Sequence, residues 1–211
     1  MMRRVMRTTS IAICLAVAVS GCETAEVYAP APAGTAQEET AQRPSFNIGD
    51  EFWFHTRGRQ ILVEQYEGMA EGLHTFRRAL QNETLYYSPD MALVRVERGF
   101  GDDTKFDPDD GALVFPLAVG AKWDRTYRLS SERSLYTGRR TRRCEVVERG
   151  QVQTQAGTFK VFRIACTTNT LGETPSAPDE IFYAPSVGRI VLTRTLGRGN
   201  ELSLIDHIRA E

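Results

Sequence analysis

The sequence predicts an all-β protein built on an antiparallel sheet. Past Phe46 the chain consists of short segments rich in β-branched and aromatic residues, separated by turn-forming residues. Apart from one stretch, long helical patterns do not lie between these segments, so we expect a meander, half-barrel or sandwich. A chain of 211 residues, with 41% hydrophobic and 25% charged residues, is long enough for one such core.

Six segments have the strand pattern, and in chain order they are Glu51–Phe54, Leu93–Val96, Cys144–Val147, Phe159–Ala165, Arg189–Thr195 and Glu201–Ile208. Their β-branched and aromatic side chains fit a pleated, half-buried surface. Arg198, Gly199 and Asn200 join the last two segments, and glycine next to asparagine is typical of a hairpin turn.

Residues 62–80 contain a competing helical pattern. Apolar side chains recur there at spacings of four and three, at Leu62, Tyr66, Met69, Leu73, Phe76 and Leu80. Gly68 and Gly72 interrupt the pattern, and a glycine costs about 1 kcal/mol inside a helix. Because glycine suits the turn of a hairpin, we predict two strands here, with a helix as the alternative.

Two short patterns occur twice. Ile48–Phe52 (IGDEF) resembles Val119–Trp123 (VGAKW), and a Tyr-x-Pro sequence follows each, first at Tyr87–Pro89 and then at Tyr183–Pro185. Proline breaks a strand and turns the chain into the next one. We therefore predict two related β modules that share one core, over residues 46–98 and 116–211, with coincidence as the alternative.

The N-terminus has the pattern of an export signal. Three arginines in the first seven residues precede the apolar run Ile11–Val19, which is about half the roughly 20 residues that a membrane-spanning helix needs. The run ends at Val19–Cys22 (VSGC), which resembles a lipobox. The resemblance implies a bacterial lipoprotein whose signal peptide, residues 1–21, is removed and whose Cys22 carries lipid, palmitate included.

The residues after Cys22 predict a location and a linker. Glu23 stands where aspartate would be typical of inner-membrane retention, so the resemblance to proteobacterial lipoproteins implies the periplasmic face of the outer membrane. Residues 22–45 are rich in Ala, Pro, Thr, Glu and Gln and have no apolar periodicity. We expect a disordered tether there and a β domain over 46–211.

Cys144 and Cys166 are expected to form a disulfide. Exported proteins meet an oxidising compartment, and the strand-like segments that contain the two cysteines flank a turn near Ala156 and Gly157. Folding this stretch back on itself brings its ends together. A metal or redox pair is the weaker alternative, because neither a C-x-x-C spacing nor a nearby histidine accompanies the cysteines.

Three further motifs occur in the order Gly120–Trp123 (G-x-x-W), Ala156–Phe159 (A-G-T-F) and Tyr183–Gly188 (Y-A-P-S-V-G). Together they resemble a loose class of bacterial secreted and lipid-anchored β-rich proteins, over about residues 115–195. The resemblance implies a β fold and brings no activity that can be carried over to particular residues.

The sequence contains no catalytic pattern. The three histidines are far apart, and neither a G-x-S-x-G elbow, a phosphate-binding glycine loop nor an H-E-x-x-H motif occurs. The acidic stretch 102–111 lacks the ligand spacing and closing glutamate of an EF-hand, which favours a solvated loop over a calcium site. We expect no metal, no cofactor and no enzymatic activity; the alternative is an envelope hydrolase acting on glycan or lipid through unidentified carboxylates.

Two residue groups are candidates for ligand contacts. Arg139, Arg140, Arg142 and Arg143 could bind phosphate or carboxylate groups, although arginines on both faces of a strand also indicate an exposed edge or hairpin tip. Trp53, Trp123 and Tyr183 could line a concave face of the sheet, with core packing as the alternative.

We expect a binding or accessory module held on the membrane by its lipid, with an envelope lipid, glycan or protein as partner and no nucleic acid.

Overall fold

The computed structural model describes residues 27–32, 40–99, 101, 103–132, 135–170 and 178–210. A single 3-10 turn, Ala79–Gln81, accompanies thirteen strands in this part of the chain. The strands are β1 (Val27–Pro30), β2 (Glu51–Thr56), β3 (Ile61–Ala70), β4 (Leu73–Arg78), β5 (Glu83–Tyr87), β6 (Leu93–Arg98), β7 (Thr104–Asp107), β8 (Lys122–Ser131), β9 (Tyr136–Thr154), β10 (Gly157–Thr170), β11 (Asp179–Ala184), β12 (Arg189–Thr195) and β13 (Gly199–Ile208).

The strands form one antiparallel sheet that closes on itself. Each strand from β2 to β13 pairs with the next along the chain, and β13 pairs with β2. The predicted all-β antiparallel meander is confirmed. It closes completely into a twelve-stranded barrel instead of remaining a half-barrel or splitting into a sandwich, and closure pairs the two edges that an open meander would expose.

The predicted strands all occur, and residues 62–80 form the hairpin β3–β4. The turn lies at Glu71 and Gly72, and Gly72 has a φ of 77°, a left-handed conformation that favours glycine. The helical alternative is therefore wrong. The apolar stripe is also divided: Leu62, Tyr66 and Phe76 are buried, whereas Met69, near the hairpin turn, and Leu80, in the 3-10 turn, are exposed.

The sheet contains two meanders with the same pairing register, the first formed by β2–β6 and the second by β8–β12. The N–H of Gly49 donates to the carbonyl of Tyr66 at 2.8 Å, and the N–H of Gly120 donates to that of Val146 at 2.8 Å. The register of both meanders shifts beside these acceptors, and again beside Tyr87 and Tyr183. Two meanders of the same register thus share one core.

This common register assigns residues of the two meanders to equivalent positions. Six pairs are used below: Phe52 with Trp123, Glu64 with Cys144, His74 with Phe162, Arg78 with Cys166, Glu83 with Asp179, and Arg98 with Thr195. The two meanders therefore place different chemistry on the same backbone framework.

The segment 22–45, predicted to be a disordered tether, is ordered in two places. Residues 27–30 form β1, which pairs with the second half of β9, and Ala41 is buried and forms a bridge with Leu117. The prediction is wrong at these residues, because an existing strand edge can order a segment that has no apolar period of its own. The signal peptide and Cys22 lie outside the described residues.

Candidate binding site

A cavity of about 450 Å³ lies in the second meander, where it is open to solvent. Ala112, Ile181 and Ile190 contribute apolar surface to its wall. Six charged side chains also line it, three acidic and three basic: Asp110, Asp179, Glu201, Arg142, Arg194 and Arg198. A cavity lined by both charges and by apolar residues is suited to a small polar molecule that has an apolar part.

The equivalent region of the first meander is filled by long side chains. Nε of Arg98 donates to Glu83 at 2.7 Å, and Nη1 of Arg78 donates to the same carboxylate at 3.1 Å. The second meander has shorter residues at these positions, with Thr195 in place of Arg98 and Asp179 in place of Glu83. At these two positions the shorter side chains of the second meander leave more space beside the cavity.

One wall of the cavity is fixed by a buried part of the acidic stretch. Asp110 accepts hydrogen bonds from the N–H groups of Leu93 and Ala112, at 2.9 and 3.1 Å, and from Arg142 at 3.1 Å. Asp109 is buried, and burial raises the pKa of its carboxyl despite the nearby charge of Arg125. The interpretation of this stretch as a solvated loop is therefore wrong for Asp109 and Asp110, which hold the loop against the sheet.

The other two acidic groups also have partners. Asp179 accepts a hydrogen bond from the hydroxyl of Thr195 at 3.0 Å, and Glu201 lies 3.5 Å from Nη1 of Arg57. On the basic side, the guanidinium of Arg194 lies 5.2 Å from the ring of Phe182, and Arg198 is exposed in the turn before β13.

The predicted arginine cluster is divided between the two faces of β9. This strand lies between β8 and β10, so the interpretation of an exposed edge is wrong. Arg142 lines the cavity and Arg143 is exposed, 3.3 Å from Asp124. Arg139 lines a separate hollow of about 410 Å³, and Arg140 lies half-buried beside Tyr127. The four guanidinium groups do not form one anion site.

The three predicted aromatic residues do not share a ligand face. Tyr183 is fully buried, with its ring 5.2 Å from that of Phe115. Trp123 is half-buried and its indole N–H donates to the carbonyl of Gly111 at 2.9 Å. Trp53 alternates with the buried Phe52 and Phe54, so it lies on the outer surface. Core packing, the alternative, describes Tyr183.

The predicted disulfide between Cys144 and Cys166 is confirmed. The two residues lie directly opposite each other on β9 and β10, with their Cα atoms 4.2 Å apart. The bridge therefore joins the two strands beside Trp123, inside the second meander.

The sequence analysis missed a buried ion cluster in the first meander. Glu64 is 2% exposed and accepts hydrogen bonds from Arg78 and from Arg189 of β12. The Arg189 guanidinium lies 4.3 Å from the ring centre of Phe76 and 5.0 Å from that of Tyr87. The one signal in the sequence was an acidic residue on the apolar face of β3, and its partner Arg189 is 125 residues away.

Burial and neighbouring charges shift the pKa values of the titratable groups in this cluster. Burial alone would raise the pKa of the Glu64 carboxyl, but the charges of Arg189 and Arg78 outweigh it, so the pKa lies below its ordinary value. Burial, together with the charge of Glu64, raises the pKa of Tyr87 to about 12. Burial and the charge of Arg189 lower the pKa of His74, whose Nδ1 lies 3.2 Å from the hydroxyl of Tyr66.

Among the described residues, no three His, Cys, Asp or Glu side chains are grouped closely enough to hold a metal ion. The same part of the chain contains no helix that is long and apolar enough to cross a membrane.

Comparison with known proteins shows the fold. No family model matches the chain, and neither does any curated protein. The hypothetical lipoprotein YmcC from Escherichia coli is similar to it with a TM-score of 0.54 and 8% identity, over 81% of this chain and 92% of YmcC. A Bacteroides fragilis protein, described as exported and as having a YmcC-like fold, is 18% identical with a TM-score of 0.42, over 80% of this chain and 100% of its own.

Proposed function

We propose that the protein is a lipoprotein of the bacterial cell envelope, held by lipid on Cys22 at the periplasmic face of the outer membrane. The apolar run that ends in a lipobox-like sequence supports the anchor, and Glu23 supports the outer membrane. YmcC, which shares the fold, is itself described as a lipoprotein.

Replacement of the lipidated residue tests the anchor. Cys22→Ala should move the protein from the membrane fraction to the soluble periplasmic fraction, because it removes the group to which lipid is attached. Separation of inner and outer membranes on a density gradient then tests the location. Membrane retention of the variant would contradict lipid anchoring.

We further propose that the folded body is a binding module whose cavity takes a small zwitterionic group. The supporting observation is that the cavity wall carries equal numbers of acidic and basic side chains together with three apolar ones. Guanidinium groups bind phosphate or carboxylate, and a carboxylate binds an ammonium group. A ligand with both charges would give each kind of wall group an additional partner in place of the water it displaces.

The alternative, an envelope hydrolase, would need two of the cavity carboxylates to act as acid and nucleophile or base. All three already have partners, since Asp110 binds Arg142, Asp179 binds Thr195 and Glu201 lies beside Arg57. This arrangement favours binding over catalysis.

Calorimetry with three probes tests the zwitterion proposal. Glycerophosphoethanolamine has both charges, whereas glycerol 3-phosphate and ethanolamine have one each. We expect the first to bind more tightly than either of the others. Similar affinity for all three would contradict the proposal.

A variant that fills the cavity supplies the structural test. Thr195→Arg introduces the residue that the first meander has at the equivalent position, Arg98. In the second meander this arginine could pair with Asp179. We expect it to abolish binding and leave the protein folded. The matched control, Thr40→Arg, adds the same charge at an exposed position outside the cavity and should bind like the unaltered protein.

A further inference from the structure

Strand β1 is an addition to the closed barrel. The first half of β9 pairs with β8, whereas its second half, beyond the end of β8, pairs with β1. The pairing places Val27 opposite Gln153 and Pro30 opposite Gly150, and the N–H of Ala31 donates to the carbonyl of Arg149 at 2.9 Å. β1 therefore completes the strand edge that β8 leaves open.

Tyr28 and Gly150 are in close contact where β1 packs on the barrel. The Tyr28 ring lies 5.2 Å from that of Phe182, and its hydroxyl donates to the carbonyl of Arg149 at 3.4 Å. A Cβ at position 150 would lie 2.4 Å from the carbonyl oxygen of Ala29 and 2.5 Å from Cε2 of Tyr28. Gly150 does not have the positive φ that favours glycine. Glycine is needed here because a side chain would obstruct the close approach of β1.

The direction of β1 determines which end of the barrel lies near the preceding residues. Val27, the first residue of β1, is opposite Gln153, one residue before β9 ends at Thr154. The chain therefore enters β1 beside the turn that joins β9 to β10. Cys22 is five positions before Val27, and five residues span at most about 18 Å.

The composition of this end is compatible with a lipid surface. Residues 150–160, which form the β9–β10 hairpin end, contain one lysine and no acidic residue in a chain with 25% charged residues. Val27 is 56% exposed beside them. A segment without acidic groups is not repelled by the anionic headgroups of a membrane.

We propose that β1 docks the folded body against the membrane, with residues 150–160 facing the lipid headgroups. The proposal rests on the lipid anchor at Cys22 proposed above. Docked β1 limits the link between lipid and body to the few residues before Val27, so the barrel has a defined orientation on the membrane and is not suspended on a long tether.

Spin labels at the two ends of β9 test this orientation. The lipidated full chain is reconstituted in phosphatidylethanolamine–phosphatidylglycerol vesicles that contain a small fraction of nickel-chelating lipid. A nitroxide is attached through Gln155→Cys or, at the far end of β9, through Leu135→Cys, about 60 Å away along the strand. We expect nickel to enhance relaxation several-fold more at position 155 than at position 135.

Glycine variants link that result to β1. Gly150→Ala should remove most of the difference between the two labels, because its Cβ cannot coexist with docked Tyr28. Gly58→Ala is the matched control, since a Cβ there meets its nearest neighbour at 3.9 Å. Protein that fails to pellet with vesicles would overturn lipid anchoring and with it this proposal. Vesicle-bound protein whose two labels relax alike would overturn only the docking.

Discussion

The two meanders connect their central strands by different chemistry at the same register position. In the first, Glu64 and Arg78 form a buried ion pair between β3 and β4. In the second, the equivalent residues are Cys144 and Cys166, and a disulfide joins β9 to β10. Both contacts link neighbouring strands inside the barrel, but they impose different requirements on the residues around them.

A buried ion pair is stable only when each charge has enough partners. Glu64 accordingly binds Arg189 as well as Arg78, and Arg78 in turn binds Glu83, which also binds Arg98. These long side chains fill the interior of the first meander. The disulfide needs no charged partner, and the positions equivalent to Glu83 and Arg98 hold the shorter Asp179 and Thr195 beside the cavity. The difference shows how one backbone framework can give a filled core on one side and a candidate binding site on the other.

The largest expected effect comes from removing the charge at the centre of the first meander. Glu64→Gln should lower the free energy of unfolding by about 3–5 kcal/mol, because Arg78 and Arg189 lose the carboxylate that compensates their burial. Urea unfolding measures the change.

The control for this variant is Asp124→Asn, which removes a carboxylate from the exposed pair with Arg143 and should cost less than about 1 kcal/mol. If the two variants lost similar stability, the buried cluster would not be the element that holds the first meander together.

The second largest effect is expected for the disulfide. Replacing both Cys144 and Cys166 by serine opens a loop that spans 22 residues and should cost about 3 kcal/mol. Thermal unfolding of the variant, and of the original protein with and without reductant, measures it. A melting temperature that does not change on reduction would mean that packing alone holds β9 against β10.

A smaller effect is expected when a phenyl ring replaces an indole. Trp123→Phe gives the second meander the residue found at the equivalent position, Phe52, and removes the hydrogen bond to the carbonyl of Gly111. The expected cost is about 1–2 kcal/mol, measured by urea unfolding. Trp53→Phe, on the outer surface, is the control and should cost less; the reverse order would show that the Gly111 contact contributes little.

The smallest effect concerns pH. The pKa of His74 is lowered in the folded protein, so below about pH 6.5 the unfolded chain binds the proton more readily. Stability contributed by neutral His74 is therefore present above that pH and is lost as pH falls through the folded pKa. His74→Phe, which introduces the equivalent residue Phe162, should flatten the profile of unfolding free energy between pH 7 and pH 5. An unchanged slope would assign the dependence to other groups.

The strands that sequence analysis found were those with several β-branched or aromatic residues in a row. It missed β8, whose apolar residues Trp123, Tyr127 and Leu129 alternate with charged ones, and the short strands β1 and β7. It gave no bounds for β5 and β11, which it marked only by the Tyr-x-Pro sequences at their ends. The cysteine pair was predictable because both residues lie in one hairpin. Of the residues that line the cavity, Arg142 is the one that the sequence analysis proposed as a ligand contact. The others were not predictable in this role, because the cavity depends on the size of side chains from three parts of the chain.

The sequence by itself determined the β class, the turns at glycine and proline, the repeated motifs and the disulfide, all of which depend on neighbours along the chain. Only the tertiary structure decided that β13 closes onto β2, that Glu64 binds Arg189, that the second meander has a cavity, and that β1 docks on β9. These features join residues far apart in sequence. Their energies depend on burial and charge compensation, which exist only once the barrel has closed.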